Sequence, residues 1–85
     1  MELKDTVQLM TSADYKERFQ AEYWQLKIRY DKLCNMLAKY KKVTLSFAPK
    51  CNYEILSNQA VLMRGYLNAL EERARIEEVN LEEFK

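Results

Sequence analysis

At 85 residues the chain has room for one small domain with a modest core. A composition 48% apolar and 32% charged, with a net charge of +1, suits a packed chain rather than a disordered one and argues against a nucleic-acid or membrane coat. One Gly and one Pro leave too little turn chemistry for a many-stranded fold.

Residues 1–11 hold Leu3, Val7 and Met10 at spacings of four and three, which fits a short helix of two turns or an extended arm. Residues 12–42 then read as one long helix. Thr11 or Ser12 serves as its N-cap, with Asp14 in the first turn. No Gly or Pro interrupts 13–42, so the helix runs about 45 Å. Its core stripe is Tyr15, Phe19, Tyr23, Leu26, Tyr30, Leu33, Leu37 and Tyr40, recurring at helical spacing. Arg18, Glu22 and Arg29 border that stripe, and Ala21, Trp24 and Ile28 form an apolar patch behind it.

Residues 43–51 form a connector, because Val43 and Thr44 are β-branched and Pro49 cannot continue a helix. Leu45 and Phe47 are expected to tuck beneath it as a plug. Lys39, Lys41, Lys42 and Lys50 gather at this turn, either stabilising the helix end or offering an anion or acidic-partner site. Asn52 caps a second helix over 52–79, whose stripe is Leu56, Ala60, Met63, Leu67, Leu70 and Ala74, with Gly65 behind it. A second row, Ile55, Leu62, Ala69 and Ile76, recurs at intervals of seven. Residues 80–85 read as a frayed tail.

Two long helices with a short connector are antiparallel neighbours, and this register sets Glu22 near Arg73 and Arg18 near Glu77. A hairpin buries one stripe per helix, and the N-terminal segment is too short to cover both leftover patches. The predicted fold is therefore all-α, a single domain of a long antiparallel helical hairpin with a short N-terminal helix or arm. The unburied rows predict assembly as a homo-oligomeric helical bundle, with Trp24, Ile28, Ile55, Leu62, Ala69 and Ile76 as the oligomer or partner contacts.

The chain has no His, hence neither the usual general base nor the commonest metal ligand. No Gly-rich phosphate loop or nucleophile elbow takes their place. The expectation is a non-enzymatic protein with no catalytic residue, metal or cofactor. Cys34 and Cys51 fit no metal or redox spacing; Cys34 reads as packing, and Cys51 as a loop thiol, ordinary or lowered in pKa by Lys50. No signal-peptide pattern and no apolar run of roughly 20 residues is present, so the expected location is a reducing cytoplasm, with no membrane, DNA or RNA partner.

Tyrosine is enriched, with six copies. Two accounts fit it. Tyr packs its ring in a thin core with its hydroxyl at the rim; alternatively, Tyr rings stack on bases while Arg pairs with phosphates. Under the second account the ligand-binding residues are Tyr15, Arg18, Tyr23, Arg29, Tyr66 and Arg73. Ion pairs to Glu22 and Glu77 compete with that role.

The segments DTVQLM, SADYKERFQAEY, QLKIRYDKL, LSFAPKC and YLNALEERARIE resemble a family of small phage and prophage proteins of gut bacteria, named after an uncharacterised reading frame of a crAss-like phage. The matching positions include Tyr15, Arg18, Phe19, Glu22, Tyr23, Arg29, Tyr30, Pro49, Gln59, Met63, Tyr66, Arg73 and Glu77. The resemblance carries no activity with it. It implies a phage-encoded accessory protein acting in a bacterial host cytoplasm. By analogy with the oligomeric sponges that phages direct against cyclic-nucleotide and cyclic ADP-ribose immunity, the expected function is sequestration of such a signal by an oligomer. The alternatives are a helical protein-binding inhibitor of a host protein, anchored on Trp24 and Ile28, and a phage structural or assembly component.

Overall fold

In the computed structural model, which describes residues 1–43 and 45–83, the chain forms a 3-10 helix, Leu3–Thr6, continued by α1, Val7–Met10. Next come α2, Tyr15–Lys41, and α3, Tyr53–Glu77. There is no strand among the described residues. The helices α2 and α3 lie against each other as a hairpin. Thr44, assigned above to the connector, and residues 84–85 of the expected tail lie outside the described residues.

The ends of the helices follow from local chemistry. Asp14, rather than Thr11 or Ser12, is the N-cap of α2, and its side chain accepts from the Lys16 N–H at 2.9 Å. Ser12 acts just outside, accepting from the Asp14 N–H at 3.0 Å and donating to Glu17 at 2.5 Å. These contacts satisfy helix-start groups that have no partner within the helix. At its far end α2 stops as Val43 turns left-handed, with φ of 56°. Asn52 caps α3 through the Ile55 N–H at 2.9 Å. The helix closes at Glu77, two residues short of the expected end, because Glu78 adopts the left-handed conformation at φ 57°. The Val79 N–H then returns to the Ala74 carbonyl at 2.9 Å, and Val79 is buried behind the turn, a familiar way to end a helix.

The seam of the hairpin is built from Phe19, Tyr23, Leu67, Leu70, Ala74 and Val79, with Leu26 and Tyr30 packed against it. Nearer the connector, Leu37 and Ala60 are also buried. Tyr15 departs from the expected stripe and is 47% exposed. The chain leaves α3 at Glu78 and heads for the other border of α2, where Lys16 donates to the Glu78 carbonyl and Gln20 to the Asn80 carbonyl. Tyr15 is left at the rim of the seam, close enough to Arg73 of α3 to act on its charge. Phe47 is likewise no plug: it is 57% exposed, and only Leu45 of the pair is half-buried.

The patch behind α2, expected to be an oligomer or partner contact at Trp24 and Ile28, is covered in part within the chain, where Ile28 is buried and Trp24 half-buried. The N-terminal segment packs along that face. Thr6, fully buried, accepts from the Gln25 side chain at 3.0 Å and donates to the Leu3 carbonyl at 2.7 Å. Ala21 and Ile28, which share a helical face with Gln25, are buried. The segment buries Thr6 and half-buries Leu3 and Leu9, while Val7 and Met10 stay exposed. A 3-10 start with three residues per turn aligns positions 3, 6 and 9, rather than the expected 3, 7 and 10. Trp24 lies edge-on to Tyr23 at 5.4 Å and packs on the core together with Leu81. Its Nε1–H is buried with no hydrogen-bond partner among the described residues, so packing holds it. The tail is docked rather than frayed as far as Glu83, which receives the Met1 ammonium at 2.7 Å.

On α3 the second row stays outside: Ile55, Leu62, Ala69 and Ile76 are all exposed. Gly65 lies on that side as well, and a Cβ added there meets nothing within 4 Å. A glycine inside a helix costs about 1 kcal/mol relative to alanine, and nothing in the single chain calls for it.

Candidate functional site

The α2–α3 seam has two borders, and the candidate ligand residues divide between them. On one border, the Tyr23 hydroxyl donates to Glu71 at 3.1 Å, and Arg64 grips the same carboxylate at 3.1 Å while its guanidinium lies over the Tyr30 ring at 5.4 Å. Burial, then the Glu71 carboxylate, pushes the Tyr23 hydroxyl above its ordinary pKa. Tyr23 is thus a core residue with a satisfied hydroxyl, apart from the other five candidates. Its neighbour Tyr30 is raised by the Cys34 thiol beside it.

The other border collects Tyr15, Glu22, Tyr66 and Arg73 around the edge of the buried Phe19 ring. The Arg73 guanidinium lies over Phe19 at 4.8 Å, within reach of a cation–π attraction. It is held there by Glu77, one turn away on its own helix, at 2.7 Å. Glu22 and Tyr15 lie close enough to add to the field that, after the Glu77 hydrogen bond, raises the Arg73 pKa. The Tyr66 hydroxyl donates to Glu22 across the seam, and that carboxylate raises the Tyr66 pKa. Glu77 itself is lowered, chiefly by the Arg73 hydrogen bond.

The expected cross-helix pairs take a different form. Glu22 faces Arg73 at the level of its field, but its direct partner is Tyr66. Arg18 donates to the Ser12 carbonyl at 2.7 Å instead of meeting Glu77, whose partner is Arg73 on the same helix. Arg18 and Arg29 are exposed and continue the border on either side of Glu22, at helical spacings of four and seven residues. The border therefore brings two exposed tyrosines and three arginines onto one edge, with two carboxylates among them. Rings supply stacking faces, guanidinium groups pair with phosphate oxygens, and Glu22 is an acceptor suited to a ribose hydroxyl or a base amino group. Glu22 is the member that sequence reasoning treated as a competitor rather than a participant; its helical spacing from Arg18 was the available signal.

A second concavity, of about 570 Å³, opens between the end of α2 and the connector, lined by Lys32, Asn35, Met36, Lys39, Leu45, Ser46 and Phe47. It lies at a helix carboxyl end, where the backbone dipole opposes an anion. The lysine cluster there suits the helix end better than a phosphate. Cys34 is half-buried and Cys51 exposed, both as free thiols. No group of His, Cys, Asp and Glu among the described residues is arranged to hold a metal ion. No helix there is long and apolar enough to cross a membrane.

Residues 13–76, which take in nearly all of α2 and α3, match the family described as Sequestin. The chain belongs to the Sequestin family. No curated protein matches it, and no solved structure does either.

Proposed function

We propose that this member of the Sequestin family is a phage-encoded, non-enzymatic protein that binds and sequesters a nucleotide-derived immune signal, of the cyclic oligonucleotide or cyclic ADP-ribose type, as an oligomer in the host cytoplasm. The family's description is compatible with sequestration. The observation that carries the reading to a nucleotide is the border where exposed Tyr15 and Tyr66 flank Arg73, with Arg18 and Arg29 along the same edge. Stacking on Tyr faces is tolerant of the base, and guanidinium groups recognise phosphates. The phage origin rests on the segment resemblance described above.

In this reading Arg73 is presented by Phe19 and Glu77, and Glu22 exchanges its Tyr66 contact for a ligand hydroxyl or amino group. The inhibitor alternative would rest on Trp24, which is half-buried, since Ile28 is buried within the chain. Thermal shift against a panel of cyclic di- and trinucleotides and cyclic ADP-ribose isomers tests the proposal. At least one compound stabilises the wild type, and the shift vanishes in Arg73→Ala and Tyr66→Ala. No shift with any compound removes the nucleotide reading.

A further inference from the structure

The face of α3 turned away from α2 carries a glycine that the isolated hairpin does not use. Around Gly65, whose Cβ position is open space, stand Ile55, Leu62 and Ile76, which are 58%, 66% and 65% exposed. Gly65 and Ala69 lie one helical turn apart, so a second helix backbone is able to approach closely there while the large side chains grip it on either side. We infer that a second copy of the chain docks antiparallel on this face, α3 against α3, and completes a cleft shared by the two Tyr66–Arg73 clusters. This rests on the oligomeric part of the function proposed above and fixes its geometry.

The occupant follows from the pattern of α3 itself. A two-fold axis passing beside Gly65 and Tyr66 sets Ile55 against Ile76 of the second copy and Leu62 against Ala69, with the glycines at the crossing. The same pairing places Arg73 beside Asn58 and Glu72 beside Gln59. A parallel pairing would instead set Arg73 against Arg73 and Glu72 against Glu72, which repel. Charge therefore selects the antiparallel arrangement. At 25 residues, α3 is about 37 Å long, so the contact runs through all four members of the heptad row. A two-fold axis across an antiparallel pair keeps each flank on its own side. Both Tyr66 rings and both Arg73 guanidinium groups consequently open onto one flank, between the two α2 helices, where Arg18 and Arg29 line the walls.

Light scattering, with Gly65→Glu and Gly65→Cys, tests this. The Cβ that either substitution adds meets nothing within 4 Å in the hairpin, and unchanged helical circular dichroism verifies that the fold is kept. The wild type is expected at twice the mass of one chain or a multiple of that, and Gly65→Glu at half the wild-type mass or less. In a background with Cys34→Ala and Cys51→Ala, mild oxidation of Gly65→Cys is expected to link two copies. A monomeric wild type, or Gly65→Glu at wild-type mass, overturns the interface. Ligand shifts on the same variants separate the two proposals. Undiminished nucleotide binding by monomeric Gly65→Glu overturns the shared cleft while retaining the ligand. A linked dimer that binds no nucleotide in the panel retains the interface and removes the ligand.

Discussion

The backs of α2 and α3 carry the same signal in the sequence and meet opposite fates. Behind α2, Ala21 and Ile28 are buried beneath the N-terminal segment and Trp24 packs against the core. Behind α3, Ile55, Leu62 and Ile76 stand in solvent. The lesson concerns chain economy. A covering segment has to be tied down, and the one here is tied by a buried hydroxyl, a glutamine and a docked tail, all on the α2 side. An apolar row alone does not say which neighbour will cover it.

The largest expected difference lies between the two rows themselves. In the Gly65→Glu background, expected to be monomeric, Ile28→Ala is expected to destabilise the chain by about 2–5 kcal/mol, as buried truncations do. Ile76→Ala there stays within about 0.5 kcal/mol. Urea titration of both variants checks this, and equal losses would erase the distinction between a covered and an open face.

Thr6 comes next. Replacing it with Val keeps the volume but leaves the Gln25 side chain without its hydroxyl acceptor, at an expected loss of about 1–3 kcal/mol. Hydrogen exchange should locate that loss in residues 3–10 and in the Ala21–Ile28 stretch. A uniform change across α3 would contradict the local role.

A smaller effect of opposite sign is expected at Glu78. This non-glycine residue holds a left-handed conformation, which disfavours a side chain by about 1–2 kcal/mol. Glu78→Gly removes that strain and gives part of it back as lost chain entropy, for a net rise in melting temperature. A lower melting temperature would mean that the tail depends on the side chain itself.

The smallest effect is the pH response of the Arg73–Glu77 pair. Glu77 is lowered from an ordinary 4.5, so its contribution is present above that value and is lost as pH falls through its folded-state titration. The stability gap between wild type and Glu77→Gln should narrow with acidification over that window. A gap independent of pH would show that the pair does not couple to folding. Because Arg73 is exposed and Glu77 only half-buried, the effect is modest.

Much of the fold was legible in the residues. Phe19, Tyr23, Leu67, Leu70 and Ala74 fall on helical stripes because every turn of an α-helix must bury the same side, and no break occurs between 15 and 41. Antiparallel packing followed from the short connector. The candidate border was legible in part, since Arg18, Glu22 and Arg29 share a face of α2 by spacing alone. Its actual bonds were not: Tyr66 with Glu22, and Arg73 with Glu77 over Phe19, depend on side-chain reach across and along the helices.

By itself, then, the sequence determined the two long helices, their seam and the presence of a surplus apolar row on each. Periodicity is a property of one helix and survives any packing. Which row the chain covers, where Tyr15 and Phe47 face, and how the tail crosses to Lys16 and Gln20 were decided only in three dimensions. Those outcomes turn on short elements whose few residues acquire a position only through what they touch: a 3-10 turn that aligns Leu3, Thr6 and Leu9, and a left-handed Glu78 that redirects the chain.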